Sequence, residues 1–395
     1  MPARPPRPAL SPVVAVALAA GLACGGAESP VPKDSKAESA ARADPAPTPA
    51  REAAGVRDDG SVVMAVDFFD GTLEQALAKA KAEGKHVLVD VGAYWCHSCH
   101  DLDEQVFTVA AIGDFLRERV VAVKIDAEKD EGPDVVARYK VQAYPTVLIL
   151  EATGVERGRM VEVADADALK SGLERILGGG DPLAALVAEV EAKPDDLEAR
   201  YRLASSYALA ARRAEAEPLY DAVLAGDPDN AKGLAAKVLY DRAAFFVAKM
   251  DGDSRAAVAR YRELQGRYPG AKESIRAYRA IGRELHRLGD DAAAIQSLEA
   301  MIAAKPEDVA LKASYGWFSF RERCDPAAGL RAVEAGLAQA PKDAELHYLR
   351  AELRHLTGDP QGALASIREA AALEPKTAYY QRQVRRFEGL AGGGA

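Results

Sequence analysis

Cys96 and Cys99 are the residues of this 395-residue chain best placed to do chemistry. Three positions is about one helical turn. At that spacing one thiolate can attack a disulfide and the second thiol can resolve the mixed disulfide that forms. The thiolate is the nucleophile, so the groups around the first cysteine decide its reactivity. Trp95 precedes it, His97 follows it, and His100 follows the second cysteine. If Cys96 starts a helix, the unpaired N–H groups and positive dipole end there stabilise its thiolate. A protonated His97 would add to that, and a stabilised thiolate makes the pair a better oxidant. The same residues leave two other chemistries open. Cys-x-x-Cys is half of a zinc site, with His97 and His100 as the only further ligands nearby. Cys96-x-x-Cys99-His100 also matches the attachment motif of a c-type haem.

The flanking elements favour the thiol reading. The stripe Leu73, Ala76, Leu77, Ala80 makes Thr72 to Glu83 helical, and Gly84 stops it. His86 to Val91 is short, β-branched and mostly apolar, as a buried strand should be. The two cysteines then open a second helix that runs to about Phe107. Val120 to Ile125 is another buried strand, Val135 to Tyr139 a helix, Thr146 to Leu150 a strand, Arg159 to Val163 an edge strand, and Asp165 to Leu177 a closing helix. Strands alternating with helices in this way argue for an α/β sandwich on one mixed sheet.

Over residues 61–178 the chain resembles the thioredoxin fold family. Four features carry the resemblance: Trp95 with the Cys-x-x-Cys at a strand-to-helix junction, Asp90 six residues before Cys96, the triplet Tyr144-Pro145-Thr146, and the strand–helix stretch from Val120 to Pro145. A cytochrome explains none of Trp95, Asp90 or Tyr144-Pro145-Thr146. Cys-His-x-Cys-His after Trp is most similar to thioredoxin domains of periplasmic thiol:disulfide interchange proteins. The resemblance implies Cys96 as nucleophile and Cys99 as the more buried resolving thiol. It implies Asp90 as a buried proton relay whose pKa burial raises. It also implies a cis Pro145 that, with Tyr144 and Trp95, forms the loop where substrate docks. His97 and His100 stand where thioredoxins carry other residues and would tune the couple. No cofactor or metal is implied, since electrons would pass to or from another redox protein.

The first sixty residues read as export and tether. Arg4 and Arg7 precede an apolar run, Val13 to Ala23, too short to span a bilayer. Gly21-Leu22-Ala23-Cys24 resembles the lipobox of bacterial lipoproteins, with Gly21 where leucine is usual. That implies a signal peptide over 1–23, lipidation of Cys24, and a periplasm-facing protein of the bacterial envelope, at the outer membrane because Gly25 follows the cysteine. Residues 24–60 are rich in Pro, Ala, Ser and charge without apolar periodicity, so they read as a linker. As a coil they would span about 30–35 Å.

Beyond Gly178-Gly179-Gly180 the strand patterns vanish. Prolines 194, 228, 269, 306, 341 and 375 recur at intervals of 34, 41, 37, 35 and 34 residues. In the unit ending at Pro306, Tyr278, Gly282, Ala294 and Leu298 fall at the signature positions of the tetratricopeptide repeat, which this region resembles. About five repeats and a capping helix, Tyr379 to Leu390, are expected over 181–392, forming an all-α superhelix that binds a peptide or protein. The longer second interval places extra helix or turn near Met250 to Asp253. Tyr, Arg and Asp along these helices read as solvated faces, and Cys324 as a free thiol. The net charge of -9 and the lack of a basic run exclude a general nucleic-acid binder.

Two functions follow. One is an exported thiol–disulfide oxidoreductase acting on protein disulfides, with repeats that recruit a partner. The other is a repeat-based envelope scaffold with an accessory or sensory redox domain.

Overall fold

A two-strand hairpin, β1 (Gly55–Val56) and β2 (Val62–Val63), precedes helix α1 (Leu73–Glu83). Thr72 and Gln75 form a reciprocal capping box at the start of α1, and Gly84 ends it in the left-handed region, φ 65°. Strand β3 (His86–Gly92) leads into α2 (His97–Asp101), which continues as a π-helical turn through Leu102–Val106. Then come α3 (Ala110–Arg117), β4 (Val120–Asp126), α4 (Gly132–Arg138), β5 (Thr146–Leu150), β6 (Glu156–Val161) and α5 (Ala166–Leu177). Most of these elements are expected from the sequence. The β1–β2 hairpin, whose first strand lies in the expected linker, and α3, with its stripe Ile112, Phe115 and Leu116, are not; α4 starts at Gly132 rather than Val135, and β6 starts three residues early and ends at Val161. This computed structural model describes residues 53–161 and 163–392, so the leader, Cys24 and most of the tether lie outside the described residues. The described residues belong to one compact unit, Glu52–Ala395.

The main sheet has the order β4-β3-β5-β6, with β3 parallel to β4 and antiparallel to β5. Alternation along β3 feeds two cores. Val87, Val89 and Val91 pack with α1 and α4, while Leu88 packs with Leu102, Val106 and Phe107 beneath α3 and α5. Burying the central strand on both faces explains its apolar run.

From Ala184 on, the described chain is helical. The helices are α6 (Ala184–Ala192), α7 (Leu197–Leu209), α8 (Arg213–Gly226) and α9 (Leu234–Asp241), which runs on as a π-helix through Arg242–Met250. They continue as α10 (Ser254–Arg267), α11 (Lys272–Arg287), α12 (Asp291–Ala304) and α13 (Val309–Glu322). The last four are α14 (Pro326–Gln339), α15 (Ala344–Leu356), α16 (Pro360–Leu373) and α17 (Ala378–Gly392). The long second interval is taken up by the π-helical extension of α9. Gly282 lets α11 approach α12: a Cβ there would lie 2.3 Å from Leu298 Cδ2.

The expectation that tyrosines and aspartates here are solvated is corrected. Tyr220, Tyr261 and Tyr348 are among the largest fully buried side chains. Asp241 is buried too, where it accepts hydrogen bonds from Tyr201 at 3.0 Å and Tyr220 at 2.9 Å. The phenol rings fill the gaps between alanine-rich helices, and Asp241 satisfies the hydroxyls of Tyr201 and Tyr220.

Candidate active site

Strand β3 ends at Gly92, and the chain turns through Ala93, Tyr94 and Trp95 into α2. Position 92 lies hard against the second cysteine: a Cβ there would be 3.1 Å from Cys99 Sγ. Cys96 is the N-cap of α2, and its Sγ accepts the Cys99 backbone N–H at 3.2 Å. Cys96 and Cys99 are joined as a disulfide.

Asp90 shares a strand face with Gly92 and is 3 % exposed. The parallel register sets it beside Lys124 of β4. Lys124 Nζ donates to Asp90 Oδ2 at 2.6 Å and also pairs with Asp103, while Asp90 Oδ1 has no hydrogen-bond partner. Burial pushes the Asp90 carboxyl above its ordinary range, and the Lys124 charge opposes this only in part. For Lys124 burial disfavours the charge, but Asp90 and Asp103 together outweigh it and hold the ammonium above its usual value.

The Tyr144–Pro145 peptide is cis. The Tyr144 ring lies 6.2 Å from that of Trp95, and Thr146 starts β5 with its hydroxyl donating to Ala143 O at 2.8 Å. Trp95, Cys96, Cys99, Tyr144 and Pro145 therefore converge at one end of the sheet.

That end is covered. Trp95, Cys96 and Cys99 share one apolar cluster with Ala313, Phe320, Leu346, Leu349 and Leu353 of the repeat helices. Trp317 of α13 lies 6.3 Å from Trp95, and Arg321 stacks over the Trp95 ring at 3.8 Å. The His97 ring meets Tyr379 edge-on at 4.5 Å, with Tyr380 at 5.9 Å and Tyr348 at 6.1 Å. Helix α17 is clasped from outside: Arg382 donates to Gly60 O at 2.9 Å and pairs with Glu104, and Arg385 pairs with Asp59 at 3.1 Å.

Two expectations need correction. Cys99 is no more buried than Cys96: the two are 8 % and 7 % exposed. The repeat helices shield the sulfur that a bare domain would present. Nor does His97 supply a positive charge. Burial among the tyrosines pushes its pKa below the ordinary value, and nearby carboxylates such as Glu345 offset this only partly. His100 is pushed down to about 4 by burial, although its Nε2 donates to Tyr94 O at 2.7 Å. Both rings are neutral near pH 7. Cys324 is free and buried, and burial pushes its thiol up to about 11.

The aromatic wall of Trp317, Tyr348 and Tyr379 was not legible. Its members lie more than 200 residues from the cysteines, and no local spacing links them.

Comparison with known proteins agrees with this geometry. Residues 68–152 match the family model described as thioredoxin-like, and residues 319–378 that of the tetratricopeptide repeat. The chain joins a thioredoxin-like domain to tetratricopeptide repeats. It is 33 % identical over 97 residues to a Thiol:disulfide interchange protein DsbD of Pseudomonas sp. (strain JR1 / K1), covering 24 % of this chain and 17 % of that one. It is 39 % identical over 70 residues to human Spermatogenesis-associated protein 20, covering 18 % and 9 %. The chain thus spans less than a fifth of the length of these two curated relatives. Among solved structures, a putative disulphide-isomerase from Bacteroides thetaiotaomicron matches at 30 % identity over 30 % of this chain and 97 % of that one, TM-score 0.28.

Proposed function

We propose that this protein is an exported thiol–disulfide oxidoreductase of the bacterial envelope, whose repeat helices admit and orient the protein it acts on. The observation that carries this reading is the Cys96–Cys99 disulfide at the start of α2, beside buried Asp90, inside a thioredoxin-like domain. In the reduced state, Cys96 thiolate attacks one sulfur of a substrate disulfide. A Cys96–substrate bond forms, and the other substrate sulfur leaves as a thiolate that takes a proton from water. Cys99 gives its proton to the Asp90 carboxylate and attacks Cys96 sulfur. That closes the Cys96–Cys99 disulfide and releases the second substrate thiolate. Two electrons pass to the substrate, and the reverse sequence oxidises a dithiol. A second redox protein restores the starting state. Trp95, Tyr144 and Pro145 form the docking surface, and His97 and His100 act as neutral packing groups rather than as a charge.

Lipidation of Cys24 and anchoring to the outer membrane belong to the same reading and rest on the leader pattern. Cys24→Ala should move the protein from the membrane to the soluble envelope fraction.

The deciding experiment titrates the Cys96–Cys99 pair against glutathione in protein lacking residues 1–24. A potential near or below about -230 mV marks a reductase, and one near about -120 to -180 mV an oxidase or isomerase. A sample without a two-electron couple defeats the reading. Cys99→Ser should trap the substrate as a mixed disulfide on Cys96, and Cys96→Ser should trap nothing. The covering of the sulfurs favours one second reading, a repeat scaffold with a sensory redox domain. Under that reading Cys96→Ser leaves the cellular phenotype intact while changes in the repeats abolish it.

A further inference from the structure

Helices α11 and α13 carry two arginines, Arg279 and Arg321, that form no ion pair among the described residues. The Arg279 side chain makes no hydrogen bond or ion pair with any described residue, and that of Arg321 makes only its ring contact with Trp95. With Arg283, Trp317, Phe318 and Glu322 they line a small open cleft in which about 30 Å³ is accessible to water. Arg283 is neutralised in part by buried Glu284, which it shares with Arg287. Glu322 is the one carboxylate in the lining. From the far side, Lys249 reaches over to donate to Gln142 O, in the loop just before Tyr144–Pro145. Crowding of like charge shows in the titration behaviour. Burial, then Arg283, Arg287 and Arg321, push the Lys249 ammonium down to about 7. Arg279 and Arg321 are depressed in the same sense, burial first.

This excess of positive charge lies in a chain of net charge -9, and it lies beside the redox pair. Trp95, the floor under Arg321, is the residue before Cys96. Both Arg279 and Arg321 are exposed. Cations held together along a surface cleft repel one another, and an anion from outside relieves that repulsion. The guanidinium fork matches a carboxylate in two-point geometry. The cleft has room for the carboxylate end of one side chain and none for a folded body.

We propose that the Arg279–Arg321 cleft binds an aspartate- or glutamate-bearing stretch of the polypeptide whose disulfide the Cys96–Cys99 pair exchanges. This rests on the oxidoreductase reading, and the test separates the two.

The first measurement uses the full chain and a fluorescein-labelled, cysteine-free Gly/Ser peptide carrying four glutamates, with a glutamine-for-glutamate peptide beside it. Fluorescence anisotropy at low salt should detect binding of the glutamate peptide only. Arg279→Glu should weaken it roughly ten- to hundredfold, the range for a charged hydrogen bond. Arg279→Gln should weaken it less, in the same direction. Arg260→Glu, the same charge change on exposed α10, should leave it unaltered. Equal binding of both peptides, no effect of Arg279→Glu, or displacement by equimolar inorganic phosphate would overturn the proposal. The second measurement adds one disulfide to each peptide and follows exchange. The proposal expects the acidic peptide to react faster and Arg279→Glu to erase the difference. Equal rates for both peptides sink the cleft and leave the redox reading standing. Glutamate-specific binding without any exchange sinks the redox reading and leaves the cleft standing.

Discussion

Lys124 stands between two carboxylates, and its removal is the sharpest test of the residues beneath the disulfide. Asp90 is buried, lacks a partner on Oδ1, and relies on Lys124 for its compensating charge. A carboxyl whose pKa is higher folded than unfolded costs stability as pH rises past the unfolded value of 3.8, up to the folded one. Lys124→Met would leave that charge unpaired at pH 7 and, with the lysine itself partly exposed, should lower unfolding stability by about 1–3 kcal/mol. Adding Asp90→Asn to Lys124→Met should restore most of the loss, because the orphan charge is gone. Urea denaturation of the two variants checks both numbers. His100 has the opposite linkage. Its folded pKa of about 4 lies below the ordinary 6.5, so its contribution is fully present above 6.5 and is lost as pH falls toward 4. The loss is on the order of 3 kcal/mol. His100→Gln should flatten the stability profile between those limits. If the profile of the variant kept the same slope, the buried neutral ring would not be its source.

Helix α17 acts as a clasp on the site, and its own sequence says little about that. Periodicity and caps made most elements legible. The stripe of α1, the β-branched run of β3 and the recurring prolines all follow from local rules. The aspartates Asp196, Asp290 and Asp343 obey a local rule too, accepting the first N–H groups of the helices that follow, but in the sequence such aspartates read as solvated faces. Cys96, Cys99, Asp90 and Tyr144-Pro145 were legible because the strand-to-helix turn and the strand register hold them at short separations. Tyr379 and Arg382 gave no such signal, because their partners His97 and Glu104 lie some 280 residues away in the chain. Arg382 and Arg385 hold α17 down through Gly60, Glu104 and Asp59. Arg382→Glu with Arg385→Glu should therefore free the terminal helix and uncover Cys96 in reduced protein. Iodoacetamide labelling of Cys96, read by mass spectrometry, should accelerate roughly ten- to hundredfold if each lost contact is worth about 1–1.5 kcal/mol. Cys324, buried beside α12 and α14, should label at its original rate. Unchanged Cys96 labelling would mean that α17 does not control access.

The two halves of the molecule are joined through aromatic rings, and this predicts how it unfolds. The chain has two tryptophans, Trp95 and Trp317, and both lie in the seam between sheet and repeats, 6.3 Å apart. Tryptophan emission therefore reports the seam alone, whereas far-ultraviolet circular dichroism is dominated by the repeat helices. Repeat helices stabilise one another through neighbours, so the array unfolds cooperatively. The seam adds Trp95–Trp317, His97–Tyr379 and Tyr94–Phe320 to that network. Each such ring pair is worth about 0.5–1.5 kcal/mol beyond its burial. At pH 7, where His97 and His100 are neutral, the two signals should give coincident denaturation curves. At pH 5 the seam weakens first. Opening it lets His97 and His100 take up protons, which their burial opposes while it is closed. Tryptophan emission should then shift at lower urea than the helical signal, and His97→Phe with His100→Gln should bring the curves back together. Coincident curves at both pH values would mean that the seam is no weaker than the repeats it joins, and that protonation of these two histidines does not open the site.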